Sequence, residues 1–262
     1  MLGRFFGRRT GGNWRPPADE LRFAQVTGFD GVQVRSDRPG ELEDELGIDA
    51  AELGALFEEA GLEPIHELLV PHDGGPRTVT TALAAQLPAL RAAGFRRVHV
   101  HPVGFAAAGV LAGDFAAALE LAAGAGLQLG VEHNAPGHRL LTSSEEVEAL
   151  LEAVPGLAFV WDVNHTPARE ASRYLALRDR FSLVHVSDTP LPELNHHLPL
   201  GRGTVDLSVL ASLRVPLVLE IGGLPHSGGP GLDTDDALRD SLARVRDAVR
   251  ASVPDPAART RS

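Results

Sequence analysis

The sequence of 262 residues contains no cysteine and no lysine, so all 24 of its basic residues are arginine. Without cysteine, disulfides, thiolate metal sites and cysteine nucleophiles are excluded. Without lysine, Schiff-base aldolases, pyridoxal enzymes and phosphate-loop nucleotidases are excluded as well. Any transition metal must therefore be bound through oxygen and nitrogen, and the 11 histidines are the nitrogen donors to follow.

Long apolar stretches are also missing from the sequence. No run approaches about 18 uninterrupted apolar residues, and the first ten residues have no run long enough for a signal sequence. We therefore expect a soluble, cytoplasmic protein with no membrane partner. The net charge of −11 repels polyanions, which disfavours nucleic acid as a partner, and the sequence leaves homo-oligomerisation open.

The dominant pattern is an alternation of short β-branched runs with longer stretches of Ala, Leu, Glu and Arg, several of which end at glycine. Such alternation predicts a parallel sheet, and about 250 residues is a usual size for a single-domain (β/α)₈ TIM barrel. Seven strands are clear in the sequence: GVQVRS from 31, LEPIHEL from 62, RRVHVHPV from 96, LQLGVEHN from 127, LAFVWDVNH from 157, FSLVHVSD from 181 and PLVLEIGG from 216.

The eighth strand of a closed barrel would have to come from LGRFF near the N-terminus. We predict an α/β fold in which residues 1–251 form one TIM barrel, with an open doubly wound sheet as the alternative. Residues 252–262, which end in the segment PDPAARTRS, have the composition of a disordered tail.

Four ionisable residues lie at the carboxyl ends of successive predicted strands: Glu132, Asp162, His185 and Glu220. Strand residues inside a barrel are normally apolar, so charges at these positions need a reason. A single strand-end acid fits a helix cap or an arginine partner equally well, but four together would repel one another without a cation. This donor set suits Mn²⁺, Mg²⁺, Co²⁺ or Zn²⁺.

A second set of histidines follows or ends the strands around these four: His66, His99, His101, His165 and His197. Strand alternation places His99 and His101 on one face, opposite the valines beside them. His101 is nearer the carboxyl end and is the better site candidate, whereas His99 fits a hydrogen-bonded core histidine. His165 fits a hydrogen bond to Asp162 as well as direct contact with substrate or metal.

The segment LPLGRGTVD at 198–206 is a glycine-rich turn that leads into a helix capped by Thr204 or Asp206. Its glycines let backbone amides approach a ligand, and Arg202 offers a guanidinium to an anionic or hydroxylated substrate. A plain turn before a helix has the same pattern. The other five histidines are expected in loops or at the surface: His72, His133, His138, His196 and His226.

The motifs VEHN, WDVNH, VHVSD, HLPLGRGTVD and LVLEIGG, in this order and spacing, resemble the xylose isomerase-like superfamily of sugar phosphate isomerases and epimerases. The resemblance covers the second half of the chain by motif and the first half by architecture. Similarity to ketose 3-epimerases implies that one metal ion is held by Glu132, Asp162, His185 and Glu220. It further implies that Glu132 and Glu220 act as acid and base, and that His165 contacts the substrate.

The function that this resemblance implies is a divalent-metal-dependent sugar or sugar phosphate isomerase or epimerase, which transfers a proton next to a carbonyl. We expect Mn, Mg or Co as the metal and carbohydrate metabolism as the setting. The residues expected to bind the substrate are His66, His101, His165, His197 and Arg202.

The same superfamily contains apurinic endonucleases of the endonuclease IV type, and a zinc phosphoesterase of that kind is the alternative. Its further metal ligands would be His66, His101, His165 and His197. Asn195 argues against it, since that branch carries an aspartate ligand there. Gln33 is a departure from the epimerases, many of which carry glutamate at that position. A barrel that binds a polyol or metal without turnover is a third hypothesis, which the intact set of acids argues against.

Overall fold

Eight parallel strands form a closed barrel in the computed structural model, which describes residues 2–5, 15–222 and 231–251. Each strand pairs with its neighbours along the chain, and the last strand pairs with the first. The strands are β1 Leu2–Phe5, β2 Gly31–Ser36, β3 Glu63–His72, β4 Arg97–Gly104, β5 Gln128–Glu132, β6 Ala158–Asp162, β7 Phe181–Val186 and β8 Leu217–Leu219. The predicted (β/α)₈ fold is confirmed, including the first strand expected from LGRFF, and the open sheet is wrong.

The helices surround the barrel and begin and end at the expected signals. They are α1 Pro17–Thr27, α2 Glu41–Leu46, α3 Ala50–Ala60, α4 Thr78–Ala92, α5 Ala108–Gly124, α6 Ser144–Ala153, α7 Ala171–Ala176 and α8 Asp235–Arg250, with short 3₁₀ helices at Val163–His165, Arg178–Arg180 and Leu207–Ser212. Ser143 and Glu146 form a reciprocal capping box at the start of α6. Gly28 and Gly61, both left-handed, end α1 and α3.

The core has two layers because successive strand residues point to opposite sides of the sheet. Outward-pointing residues such as Val98 and Val100 pack beneath the helices in one continuous apolar cluster. Inside the barrel a smaller cluster consists of Ile65, Val160, Leu183 and Val218. Two residues further along the chain from each of these four, the inward-facing residue is polar. The site lies where the interior of the barrel changes from apolar to polar.

Two of the sequence predictions lie outside the described residues: the tail at 252–262 and the surface placement of His226. Within the described part of the chain, the helices are too short or too polar to cross a membrane.

Candidate metal centre

Glu132, Asp162, His185 and Glu220 converge at the carboxyl end of the barrel. Glu132 and Asp162 end β5 and β6, His185 lies in β7, and Glu220 directly follows β8. One side-chain donor atom from each lies within 4.8 Å of the others. The Nδ1 atom of His185 is 3.1 Å from Glu132 Oε1 and 2.8 Å from Glu220 Oε2. The structure therefore brings together the four residues that the sequence predicts as metal ligands.

The charges of these four residues strongly perturb one another. Burial acts to lower the pKa of His185, but attraction to Glu132 and Glu220 raises it well above its ordinary value. Burial acts to raise the pKa of Glu220, but His185 and His197 lower it to about 2. Burial and the charge of Glu220 instead raise the pKa of Asp162 to about 7. Three carboxylates and one imidazole thus share a site that holds more negative charge than it can neutralise.

The hydrogen bonding of the three acids tests whether the site fits a cation. Within the described residues, Glu132 Oε2, Asp162 Oδ2 and Glu220 Oε2 are buried and have no hydrogen bond of good geometry, although each lies 2.8 to 3.5 Å from an imidazole nitrogen. Buried polar atoms normally have well-aligned partners, so three poorly satisfied carboxylate oxygens in one cluster fit a site for a cation. Together with an imidazole nitrogen they fit the donor set of a divalent cation.

His101 faces the same cluster from β4, as strand alternation predicts. Its Nδ1 lies 3.7 Å from both Glu67 Oε1 and Glu132 Oε2. Its Nε2 lies 2.9 Å from Asn134 Oδ1, and the Asn134 amide donates to the carbonyls of Pro102 and Leu140. Burial acts to lower the pKa of His101, but Glu132 and Glu67 raise it to about 9. His101 is therefore a cationic hydrogen-bond donor at the edge of the site.

His99 lies two residues before His101 on β4, deeper in the barrel, and its environment differs from the predicted one. It is buried, with Nε2 3.5 Å from Glu132 Oε2 and its ring centroid 5.0 Å from that of His185. Neither of its ring nitrogens has a hydrogen bond to any described residue. The expectation of a hydrogen-bonded core histidine is wrong, because His99 contributes to the floor of the site.

The prediction that His66 binds the substrate is wrong, since the structure does not bring His66 to the cluster. It shares the outward face of β3 with Leu68, where Nε2 is 2.8 Å from Ser36 Oγ and the ring packs edge-on against Phe95. Burial lowers the pKa of His66 to about 3, which keeps the imidazole neutral. Glu67, which the sequence analysis missed, takes the inward position. Alternation from Ile65 would have identified Glu67, but two adjacent polar residues obscured the strand's register.

The residues next to Glu67 on β2 form a polar layer that the sequence did not indicate. Gln33 Nε2 donates to Glu67 Oε2 at 3.1 Å, and Gln33 Oε1 is 3.0 Å from His185 Nε2. Arg35 Nε lies 2.9 Å from Asp37 Oδ1, and Arg35 Nη1 lies 4.0 Å from Glu67 Oε1. Burial acts to lower the pKa of Arg35, but Glu67 and Asp37 raise it. This layer joins the first half of the barrel to the acids of the second half.

His165 and His197 line the other side of the site. His165 Nε2 is 3.2 Å from Asp162 Oδ2, and Nδ1 is 3.0 Å from the carbonyl oxygen of His133. His197 Nδ1 is 3.2 Å from the carbonyl oxygen of Glu220, and Nε2 is 2.7 Å from Asn195 Oδ1. Their ring centroids are 5.7 Å apart. Both predicted residues therefore lie beside the four converging residues, and both ring nitrogens of His197 have partners within the protein.

The loop 198–206 is organised by Asp188, which the sequence analysis did not single out. The Asp188 carboxylate accepts the backbone N–H groups of Gly201 at 2.8 Å and Val205 at 3.0 Å. A Cβ at position 203 would lie 2.4 Å from Asp188 Oδ1, so glycine is required for this close approach. Asp206 caps the following helix as predicted, although that helix is 3₁₀. Arg202 is exposed on this loop.

Two of the histidines expected in loops or at the surface are buried. His133 packs at 4.5 Å between ring centroids against Tyr174, with Nε2 3.2 Å from the backbone nitrogen of Asp162. His72 lies 3.6 Å from the buried Asp114 carboxylate, which accepts backbone N–H groups at the start of α4. The prediction that His72 and His133 lie in loops or at the surface is therefore wrong. His138 is exposed and His196 half-buried on loops, as expected.

Comparison with solved structures shows the same fold in several sugar epimerases. The D-allulose 3-epimerase from Methylomonas sp. has a TM-score of 0.75 at 20% identity, covering 94% of this chain and 97% of that chain. An L-ribulose 3-epimerase has a TM-score of 0.79 at 16% identity, covering 100% of this chain and 98% of that one. The IolI protein, solved with a bound zinc atom, has a TM-score of 0.76 at 15% identity, covering 97% and 99%.

Comparison of the amino-acid sequence with known proteins identifies the family. No curated protein matches it. A family model described as xylose isomerase-like TIM barrel matches residues 21–216, which include strands β2 to β7 and three of the four converging residues, Glu132, Asp162 and His185. The motifs, the closed barrel and this match agree, and the chain belongs to the xylose isomerase-like TIM barrel family.

Proposed function

We propose that the protein is a divalent-metal-dependent sugar or sugar phosphate isomerase or epimerase that transfers a proton at a carbon next to a carbonyl. The observation that carries the proposal is the convergence of Glu132, Asp162, His185 and Glu220, in which three buried carboxylate oxygens have no hydrogen bond of good geometry among the described residues. Similar folds in a D-allulose 3-epimerase and an L-ribulose 3-epimerase support the choice of reaction class.

The four converging residues would hold the cation, which when bound supplies polarisation of the substrate's carbonyl and hydroxyl oxygens. Glu132 and Glu220 have a second part in the proposal because proton transfer needs a base and an acid close to the same carbon. One glutamate accepts the proton as a carboxylate, and the other donates a proton as a carboxylic acid. After one turnover the two glutamates have exchanged protonation states.

The histidines around the site are proposed to orient the substrate. His101 is fixed by the contact of its Nε2 with Asn134 Oδ1, which leaves Nδ1 as the N–H group available to a substrate oxygen. His165 lies 5.7 Å from His101 between ring centroids and is oriented by the carbonyl of His133. A sugar bound above the four ligands would contact the exposed edges of both rings.

The proposal is tested by proton exchange in D₂O with a panel of ketoses and ketose phosphates. We expect the wild type to exchange the proton next to the carbonyl, and Glu132→Gln and Glu220→Gln each to slow this exchange by about 10²- to 10⁴-fold. Glu152→Gln, at an exposed position of α6, is the matched control and should keep the wild-type rate. Wild-type exchange in both site variants would refute their acid and base roles.

A metal-dependent phosphoesterase is a second candidate because further metal-binding groups adjoin the first. Among the described residues, donor atoms also cluster in three sets that share residues with it: His99, Glu132 and His185; His101, Glu132 and His165; and Asp162, His165 and His197. The bonds from His197 to Asn195 and to the carbonyl of Glu220 occupy the nitrogens that a second cation would need. Elemental analysis separates the candidates: one metal per chain supports the isomerase, whereas two or three zinc ions with cleavage of an abasic-site oligonucleotide would overturn it.

A further inference from the structure

Gln33, at the centre of β2, connects the proposed metal ligands to the opposite wall of the barrel. It is fully buried, and its amide oxygen lies 3.0 Å from His185 Nε2 while its amide nitrogen lies 3.1 Å from Glu67 Oε2. β2 and β7 are three strands apart around the barrel, so this contact spans its interior. A buried amide that bonds at both ends has a fixed orientation.

The direction of these hydrogen bonds follows from Glu67. A carboxylate only accepts hydrogen bonds, so the Gln33 atom that faces it must be the NH₂ group. Nitrogen atoms of three basic side chains lie within 4.0 Å of the Glu67 carboxylate: Arg35, His99 and His101. The amide oxygen of Gln33 therefore faces His185.

The orientation of Gln33 in turn fixes His185. An amide oxygen cannot donate, so the Nε2 atom of His185 must carry a proton to make the 3.0 Å contact. With a proton held on Nε2, Nδ1 is the nitrogen that gives up its proton when a cation binds, and Nδ1 is the atom 3.1 Å from Glu132 and 2.8 Å from Glu220. The opposite tautomer would direct an N–H group at the cation and prevent binding.

We propose that Gln33, oriented by Glu67, is a positioning residue that holds His185 in the tautomer that presents Nδ1 to a divalent metal. The inference rests on the proposed metal-dependent function and adds a determinant of metal affinity outside the ligands themselves. The competing explanation is that Gln33 only fills space in the barrel, in which case its loss changes stability and leaves metal binding unchanged.

The test uses the full-length metal-free protein titrated calorimetrically with Co²⁺. We expect Gln33→Met, which keeps the side-chain length but removes the amide, to weaken Co²⁺ binding by about 10- to 100-fold. Gln86→Met is the matched control, since Gln86 is a buried glutamine on α4 remote from the ligands, and it should bind Co²⁺ like the wild type. Thermal unfolding of each metal-free variant separates loss of stability from loss of affinity.

A double variant provides a rescue. Gln33→Glu combined with Glu67→Gln interchanges the amide and the carboxylate, so atom count and net charge stay the same. The carboxylate at position 33 again accepts from His185 Nε2 and now accepts from the amide at position 67. We expect this interchange to restore Co²⁺ affinity to within a few-fold of the wild type, which a purely space-filling role does not predict.

A spectroscopic measurement reads the tautomer directly. In the Zn²⁺-loaded protein with ¹⁵N-labelled histidine, we expect the proton of His185 on Nε2 and the metal on Nδ1. Coordination through Nε2, or wild-type Co²⁺ affinity in Gln33→Met, would overturn the inference while leaving the proposed function intact. A wild-type protein that binds no divalent metal would instead overturn the proposed function, and this inference with it.

Discussion

The two halves of the barrel contribute to the site in different ways. Strands β5 to β8 each contribute one of the four converging residues: Glu132, Asp162, His185 and Glu220. Strands β2 to β4 contribute residues that surround those four, such as Gln33, which contacts His185, and Glu67, which contacts Gln33. The second half thus supplies the donors for a metal, and the first half supplies the hydrogen bonds and charges that orient them. Substitutions in the two halves should differ in kind.

The largest effect is expected in the second half, at Asp162. Asp162→Asn keeps the Oδ1 acceptor that binds the backbone N–H of Asn164 at 2.7 Å but removes the negative charge. We expect Co²⁺ affinity to fall well beyond the about 100-fold expected for a residue that only supports a ligand. The metal-free variant should be at least as stable as the wild type, because repulsion from Glu132 and Glu220 is relieved.

Calorimetry and thermal unfolding check both parts of this prediction. Asp179→Asn, at an exposed position in the same half, is the control. Wild-type Co²⁺ affinity in Asp162→Asn would show that the second half does not supply the donors as argued.

An intermediate effect is expected in the first half, at Glu67. Glu67→Gln removes the carboxylate that orients Gln33 and that faces His101, while it preserves the side chain's volume. We expect Co²⁺ affinity to fall about 10- to 100-fold, less than for Asp162→Asn. Glu63→Gln, on the same strand at the other end of the barrel, pairs with Arg97 and should leave affinity unchanged. A loss as large as that of Asp162→Asn would make Glu67 a ligand and erase the distinction between the halves.

The smallest effect is expected on the outward face of β2 and β3. Ser36→Ala removes the hydroxyl 2.8 Å from His66 Nε2, and we expect a loss of about 0.5–1.5 kcal/mol in the free energy of unfolding. Metal affinity and proton exchange should not change, since His66 faces the helices. Denaturant unfolding measures the first quantity and calorimetry the second. Reduced Co²⁺ affinity in Ser36→Ala would contradict this and indicate that His66 does influence the metal site.

The donors of the second half could be predicted from the sequence because each lies at or beside the carboxyl end of its own strand, directly after an apolar residue. In LVLEIGG and FVWDVNH the position of the acid is unambiguous, and the closed barrel brings all strand ends together whatever their exact register. The prediction that these four converge needed only the fold class and the strand ends.

The polar layer of the first half could not be predicted in the same way. In IHEL, His66 and Glu67 are adjacent, and a shift of one residue in register exchanges which of them faces inward. The contact from Gln33 to His185 joins residues 152 positions apart, and it depends on barrel geometry that local sequence does not contain. Asp188 is similar, since its role depends on the loop 198–206 folding back onto it.

The apolar plug made of Ile65, Val160, Leu183 and Val218 fills the barrel directly beneath the polar residues. Among the described residues this plug closes the amino end of the barrel, so a ligand reaches the site from the carboxyl end. Substrate and product of the proposed reaction would thus enter and leave through the same opening and occupy the same position. The kinetic consequence is product inhibition that is competitive with substrate.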